Sequence, residues 1–330
     1  IIRKFIDMYA GRLRNQVSFM LSACNFYMPI FEEALDAYGL PLELRYLPII
    51  ESALNPSAVS RAGASGLWQF MIGTGKIYGL ESNSLVDEGR DPIKATWAAA
   101  RYLKEMYDIY GDWNLVIAAY NCGPGTINKA IRRANGETDY WKIYNYLPKE
   151  TRGYVPAFIA ANYVMTYYCD HNICPMETNI PASTDTVQVN KNLHFEQIAD
   201  LCNVPLDQIK SLNPQYKKQM IPGDSKPYTL RLPIDAISTF IDKQDTIYAH
   251  RADELFRNRK TVAVKEITPS TRKTTTAVAG KGKLTYYTIK SGDTLSTIAG
   301  KYGVTIKDIQ RWNGMSNTKI AAGKRLKIYK

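Results

Sequence analysis

No stretch of this 330-residue chain approaches 18 uncharged apolar residues, so the sequence predicts no helix that crosses a bilayer. Histidine is nearly missing. The three present, His171, His194 and His250, stand in unrelated contexts, and such lone histidines are structural more often than catalytic. The five cysteines, at 24, 122, 169, 174 and 202, offer neither CxxC nor Cys/His ligand spacing. No metal site and no cofactor is expected. Cys169 and Cys174 are near enough in sequence to pair in an oxidising compartment, but unpaired cysteines are common in proteins, so both states stay open. Acid is also absent over a long span, since no Asp or Glu occurs between Ser52 and Leu80. The chain opens on Ile1, without a signal peptide or a lipid-accepting cysteine near its start. A mature or truncated product is the expectation, which leaves a lipid anchor outside these residues open.

What is present begins with 45% hydrophobic content, enough for a large core plus one or two small domains. Charge is lopsided: residues 260–330 carry 15 Lys and Arg against 3 Asp and Glu, while the rest of the chain holds 27 against 28. The whole net charge of +11 therefore resides in the tail. A basic module of this kind suits nucleic acid, anionic lipid or the anionic polymers of a cell wall. No recognised nucleic-acid motif accompanies it, so nucleic acid is not the expected partner. For residues 260–283 a merely solubilising linker accounts for the charge equally well.

The chain is organised around ESALNPSAVSRAGASGLWQFM, residues 51–71. A short apolar helix precedes it, with Pro41 in its first turn and Pro48 as a predicted kink, and Asn55-Pro56 bars that helix from passing Leu54. Glu51 then falls on the last turn, where carbonyl dipole ends and the neighbours Leu47, Ile50 and Leu54 push a carboxyl toward its protonated form. That is how a general acid is prepared, although helix-end carboxylates are commonly solvated surface. Gly63 and Gly66 are expected to let backbone approach a ligand closely, with Gln69 and Met71 beside them. A carboxyl among amides, soft apolar groups and exposed backbone suits a sugar better than a phosphate, which demands cations. A second stretch, DWNLVIAAYNCGPG, reads as an apolar helix capped by Asp112 and stopped at Gly123, with Tyr120 and Asn121 on its last turn. Those two either bind something or satisfy local backbone.

GASGLWQFM after an ES pair, then AAYNCGPG, then LPKETRGYVPAFIA together resemble the lytic transglycosylases of the lysozyme-like superfold, nearest the membrane-bound type D branch that carries LysM repeats. The resemblance covers most of residues 20–168, in the right order and spacing. It implies a mainly α, lysozyme-like catalytic domain in which Glu51 is the catalytic acid/base, and Ser60, Gln69, Met71, Tyr120, Asn121 and Tyr154 line a glycan cleft. Cys122 departs from the small alanine usual in the family, a near-isosteric change. Glycoside hydrolysis normally needs two carboxylates roughly 5–10 Å apart, and the acid-free span leaves only one candidate. The family's single-acid route resolves the shortage, because the C6 hydroxyl of the substrate's own muramoyl sugar attacks C1 and yields a 1,6-anhydro product. A hydrolytic muramidase on the same fold and a non-catalytic wall-binding scaffold are the alternatives. The implied partner is peptidoglycan, a polymer of N-acetylglucosamine and N-acetylmuramic acid, in the periplasm of a bacterial envelope.

Elsewhere, residues 1–40 carry helical stripes that brace this block. Ile93, Trp97, Ala100, Tyr107 and Tyr110 stripe a further helix opened by Asp91-Pro92, and the stripe is expected to be core. Glu150 and Arg152 are expected in a structural ion-pair network, and Pro156 marks a possible helix restart. Past Cys174, CPMETNIPAST has linker composition. An internal repeat follows at an offset of 100 residues: Ile198-Ala199 with Ile298-Ala299, Val204 with Val304, Ile209 with Ile309, Asn213 with Asn313 and Gly223 with Gly323. Each copy reads strand, helix, helix, strand.

The second copy, with SGDTL, WN and AGKRLKI, looks like a LysM domain. That resemblance places glycan contacts at Gly292, Asp293, Thr294 and Leu295 in the first loop, and at Met315 and Ile320 near the second. The first copy has KNLHF in place of SGDTL and reads as degenerate, holding the catalytic block in place. The expected domains are 1–180 (helical), 184–233 (degenerate LysM-like), 234–283 (a helix and a flexible basic linker) and 284–330 (LysM). A tethered glycan binder would raise the enzyme's local concentration on an insoluble polymer.

Overall fold

The structure is a computed structural model that describes residues 1–178, 180–181, 183–256, 284–290, 293–315, 320 and 323–329. The basic linker predicted up to residue 283 and the predicted contact Gly292 lie outside them. The chain divides into two compact units, Ile1–Glu266 and Ile267–Lys330. Among the described residues no helix is long and apolar enough to cross a membrane.

The first unit opens with helices α1 (Ile2–Ala10), α2 (Arg14–Ala37), α3 (Leu47–Ser52), α4 (Ile72–Ile77), α5 (Pro92–Tyr110), α6 (Trp113–Cys122), α7 (Pro124–Arg133), α8 (Tyr140–Ile143) and α9 (Lys149–Thr166). Five consecutive residues of α6, Leu115 to Ala119, are buried, so this helix is apolar on every side and sits inside the domain. Asp112 caps its start by accepting from the Leu115 amide at 2.8 Å. Helices α5 and α9 pack against α6, α2 packs on α5, and α1 lies along α9.

The stripe expected on α5 is corrected in part. Ala100 is buried, and Tyr107 and Tyr110 pack half-buried against the core, but Ile93 and Trp97 are each 37% exposed, and Ala95, Ala99, Leu103 and Met106 complete the buried face instead. Alanines let α5 approach its neighbours closely, and the large indole is left outside against Tyr38. Pro156 does not restart a helix either: α9 runs through it. A proline there leaves the Arg152 carbonyl without its helical donor, and the buried Tyr140 hydroxyl supplies one at 3.1 Å. Pro48 sits at the start of α3, where its missing N–H costs nothing, so it separates a 3-10 turn, Leu42–Tyr46, from α3 instead of kinking one helix.

A small module follows, with β1 (Thr184–Val189), β2 (Asn192–His194), α10 (Phe195–Cys202), α11 (Leu206–Leu212), β3 (Met220–Pro222) and β4 (Tyr228–Pro233). Strand β1 pairs antiparallel with β4, and β2 with β3. Helices α12 (Ile234–Asp242), α13 (Gln244–Ala249) and α14 (Ala252–Leu255) complete it, and Ala236, Phe240 and Ile247 enter its core. Leu85 and Val86 of the helical domain are buried in that same core.

Backbone seals this join. The Asp87 amide donates to the Gln215 carbonyl at 2.9 Å, the Lys217 amide to Leu85 at 2.8 Å, and the Lys217 ammonium to Asn83 at 2.8 Å. Tyr228 and Lys226 both reach the Glu81 carboxylate. The connecting segment is itself tied down, since the Met176 amide donates to Ser18 of α2 and the Ser22 hydroxyl to the Met176 carbonyl.

The second unit holds β5 (Leu284–Thr288), α15 (Leu295–Tyr302), α16 (Ile306–Trp312) and β6 (Arg325–Tyr329), with β5 antiparallel to β6 around a core of Ile289, Leu295, Ile298, Ile309, Trp312 and Ile328. A helical domain followed by two small α+β modules is the expected fold class.

Candidate active site

Glu51 occupies the last turn of α3, and the chain leaves that turn through two non-glycine residues in the left-handed region, Ala53 at φ 53° and Leu54 at φ 57°. Gln69 adopts the same conformation at φ 50°. Such backbone costs on the order of 1 kcal/mol per residue and concentrates where surrounding structure dictates it. Here the enforcement is visible: Leu54 is fully buried, and the Ser52 hydroxyl bridges the Pro48 and Leu67 carbonyls at 3.0 and 2.9 Å. The turn that follows is fixed from behind. Gly66 sits at φ 83°, and a β-carbon on it would lie 1.7 Å from the Gly89 carbonyl oxygen. Its close approach is therefore to protein backbone and not to a ligand, which corrects the reading of that glycine.

A cavity of about 440 Å³ opens beside α3, lined by Glu51, Ser60 and Gln69 together with Tyr9, Gln16 and Met20. Glu51 is the sole acid among its lining residues. Packed protein desolvates the carboxyl and pushes it up to about 7, with a smaller push from the charge of Glu150, and the Tyr154 hydroxyl works in the opposite sense. Tyr154, on α9, donates to Oε1 of Glu51. Among the described residues no hydrogen bond reaches Oε2.

The other predicted residues fall around this centre unequally. Tyr120 donates to the Trp68 carbonyl at 2.7 Å, and burial plus the nearby Glu51 charge raise its pKa well above the usual phenol value. Asn121 accepts from the Thr151 hydroxyl at 2.9 Å. Ser60 accepts from the Ala64 amide at 3.0 Å, and the Gln69 amide group donates to Gly66 at 2.8 Å, so both shape the turn as well as the cavity. Met71 does not line the Glu51 cavity. It borders a separate small pocket with Phe70 and Leu80. Arg152 forms no ion pair among the described residues and instead donates to the Leu147 and Asn145 carbonyls, so the expected network with Glu150 is absent there. Cys169 and Cys174 are exposed and unbridged.

Sequence reasoning missed Tyr9, Gln16 and Met20 as cavity wall, because a helical stripe tells which face is buried and not which distant loop it meets. Ser52, which ties α3 to the Leu67 carbonyl, and Thr151, which donates to Asn121, were likewise missed. In the second module, Asp293 accepts from the Tyr287 hydroxyl and the Lys290 amide, both at 2.8 Å, and Thr294 caps α15. Leu295 is 2% exposed and belongs to the core, so its side chain offers no surface to a ligand. Met315 and Ile320 pack half-buried against that core.

Three families match along the chain: the transglycosylase SLT domain at residues 28–143, the LysM-like domain of lytic transglycosylase MltD at 183–249, and the LysM domain at 287–328. The chain carries an SLT transglycosylase domain followed by two LysM-type modules. Membrane-bound lytic murein transglycosylase D of Escherichia coli K12 is 33% identical over 296 residues, covering 88% of this chain and 60% of that protein. The soluble lytic murein transglycosylase of the same organism is 33% identical over 124 residues, 36% of this chain and 19% of its own. The crystal structure of the 70 kDa soluble lytic transglycosylase of Escherichia coli aligns with 43% of this chain and 24% of that one, at 29% identity and a TM-score of 0.38. The chain thus spans 60% of the length of the first of these relatives. The SLT domain match includes Glu51, Ser60, Gln69, Met71, Tyr120 and Asn121 and ends before Tyr154, which α9 brings back to Glu51.

Proposed function

We propose that the protein is a peptidoglycan lytic transglycosylase that cuts the β-1,4 bond between N-acetylmuramic acid and N-acetylglucosamine with Glu51 as its only acid/base. The observation that carries this reading is the solitary carboxyl in the Glu51 cavity, raised to about 7 and lacking a second acid among the lining residues. A group near pH 7 is protonated often enough to donate and, once ionised, basic enough to accept. Glu51 gives its proton to the glycosidic oxygen as the bond from C1 breaks, and the substrate's acetamido group steadies the developing cation. The carboxylate, held by the Tyr154 hydroxyl, then takes the proton of the C6 hydroxyl while O6 bonds to C1. Glu51 ends protonated as it began, the C6 hydroxyl proton replacing the one that leaves on the released 4-hydroxyl, and no water is consumed.

The second module is assigned to hold the enzyme on the glycan polymer, with Asp293 and Thr294 in its binding loop and Met315 and Ile320 near the other. Such a substrate puts the protein in the bacterial envelope, on the periplasmic side. The test is product capture: digestion of purified sacculi followed by mass spectrometry should yield 1,6-anhydro-muramoyl ends. A reducing-end muramic acid in their place identifies a hydrolase and overturns the proposal. Glu51→Gln should lower turnover by about a thousandfold while sacculus binding persists, and binding without turnover in the unmodified protein would identify a scaffold.

A further inference from the structure

A second cavity, of about 1260 Å³, adjoins the Glu51 cleft and shares Gln16, Ser52 and Ala53 with it. It exceeds the roughly 300–1,000 Å³ of ordinary small-molecule pockets, so its shape suits an extended ligand. Phe19, Phe26 and Tyr27 of α2 form one bank. Asp207, Gln208 and Ser211 of α11 form the other. The groove therefore exists only because the LysM-like module is docked through Leu85, Val86 and the backbone bonds around Asp87 and Lys217.

Its chemistry narrows the occupant. Among the described residues no Lys, Arg or His lines the groove, and the two charged ones there are Glu177 and Asp207. A lining with negative charge and no cation disfavours the free carboxylates of muramoyl stem peptides. Aromatic faces beside amide and hydroxyl groups suit neutral acetamido sugars, with Phe19 left 39% exposed on the wall.

We propose that this groove binds the continuing glycan strand, a run of N-acetylated sugars whose lactyl carboxyls are taken up in amide bonds and so uncharged, leading away from the Glu51 cleft, with the LysM-like module as one bank. This rests on the transglycosylase reading of Glu51. The module that gave up a LysM-type loop thereby contributes to substrate binding through its second helix, and long strands gain contacts that short ones cannot reach.

Ser211→Arg tests it, since Ser211 is exposed on the module bank and the change adds bulk and charge to the groove. Turnover is measured on glycan strands of graded length whose muramoyl lactyl groups are capped as simple amides, since bare lactyl carboxylates would carry negative charge into this lining. The expected result is a KM about tenfold higher on long strands, with unchanged kcat/KM and unchanged anhydro product on the shortest cleaved ones. Equal KM values for variant and parent on long strands overturn the proposal, as does an equal loss on short and long. Weakening confined to peptide-bearing strands assigns the groove to stem peptide and also overturns it. Gln208→Ala, which removes a polar contact without adding bulk, should shift long-strand KM in the same direction by about threefold and guards against misfolding of the arginine variant. Loss of anhydro product from the parent on every strand length sinks the Glu51 reading instead, which separates the two failures.

Discussion

Asn213 in the first module donates to the Ile209 and Arg231 carbonyls at 2.9 and 2.8 Å and accepts from the Arg231 amide at 2.8 Å. Asn313 in the second makes the same three bonds, to Ile309 and Lys327, at 2.8, 2.8 and 2.7 Å. Both copies open their first helix with a capping box, His194 with Gln197 and Thr294 with Thr297, at the same 100-residue offset. The frame is therefore held constant by one asparagine and one cap, and everything that differs lies outside it. The first copy pairs its loop strand β2 with β3, buries Leu193, and takes Leu85 and Val86 of the helical domain into its core. The second keeps an Asp293-centred loop between β5 and α15. One fold is thus docked on the helical domain in the first case and, as proposed, tethers the protein in the second.

Excision tests that contrast most severely. Removing residues 184–256 strips Leu85 and Val86 of their cover and leaves the Asp87 amide without its acceptor, so the helical domain should lose cooperative melting and all turnover. Removing residues 284–330 should leave the melting of the first unit and turnover of short soluble glycan unchanged, while retention on intact sacculi falls by about tenfold to a hundredfold. Equal damage from both deletions would show that the two copies do one job.

The asparagine clamp gives a finer version. Asn213 is 1% exposed, and alanine there removes three hydrogen bonds and takes from the Arg231 amide and carbonyl the partner that Asn213 supplies, while the Ile209 carbonyl keeps the residue 213 amide, for a cost of about 3 kcal/mol. Asn313 is half-buried, water can replace part of what is lost, and Asn313→Ala should cost about 1.5 kcal/mol. Denaturant melts of the two variants decide it, and the reverse order would break the claim that the more deeply buried clamp is the costlier to lose.

How much of this was legible in the sequence follows from the range of each interaction. Asp91 and Asp112 announced their helices because a cap acts within three residues, and the repeat announced both modules because Asn213 and Asn313 recur with their helices. Glu51 could be singled out because Asn55-Pro56 fixes where α3 must stop. The partner of its carboxyl is 103 residues away in Tyr154, and no local pattern couples those positions. The same holds for Leu85 and Val86, for which the sequence announces no role and which close another module's core. The α5 stripe misled for a different reason: packing there rewards small residues, so the side chains that look most like core, Ile93 and Trp97, are the ones left outside.

The smallest contrast is in how the two units hold their acids. Burial raises Glu51 to about 7, whereas in the second module the Lys290 amide, the Tyr287 hydroxyl and nearby lysines hold Asp293 below its ordinary range. The signs oppose. A carboxyl whose folded pKa lies above its unfolded value of 4.5 costs nothing when both states are protonated, and its penalty grows as pH rises from 4.5 to about 7. Asp293 instead supports its module at neutral pH and loses that support as pH falls below 3.8. Glu51→Gln should therefore stabilise the first unit by about 1–2 kcal/mol at pH 8, after discounting for the part of Glu51 that faces the cavity, and by nothing at pH 4. Asp293→Asn should lower the second unit's melting temperature at pH 7, by an amount that shrinks with added salt and vanishes in acid. Thermal melts at the two pH values read both, and a Glu51→Gln benefit that fails to grow with pH would mean the carboxyl is solvated, which would remove the reason to expect it to act as an acid near neutrality.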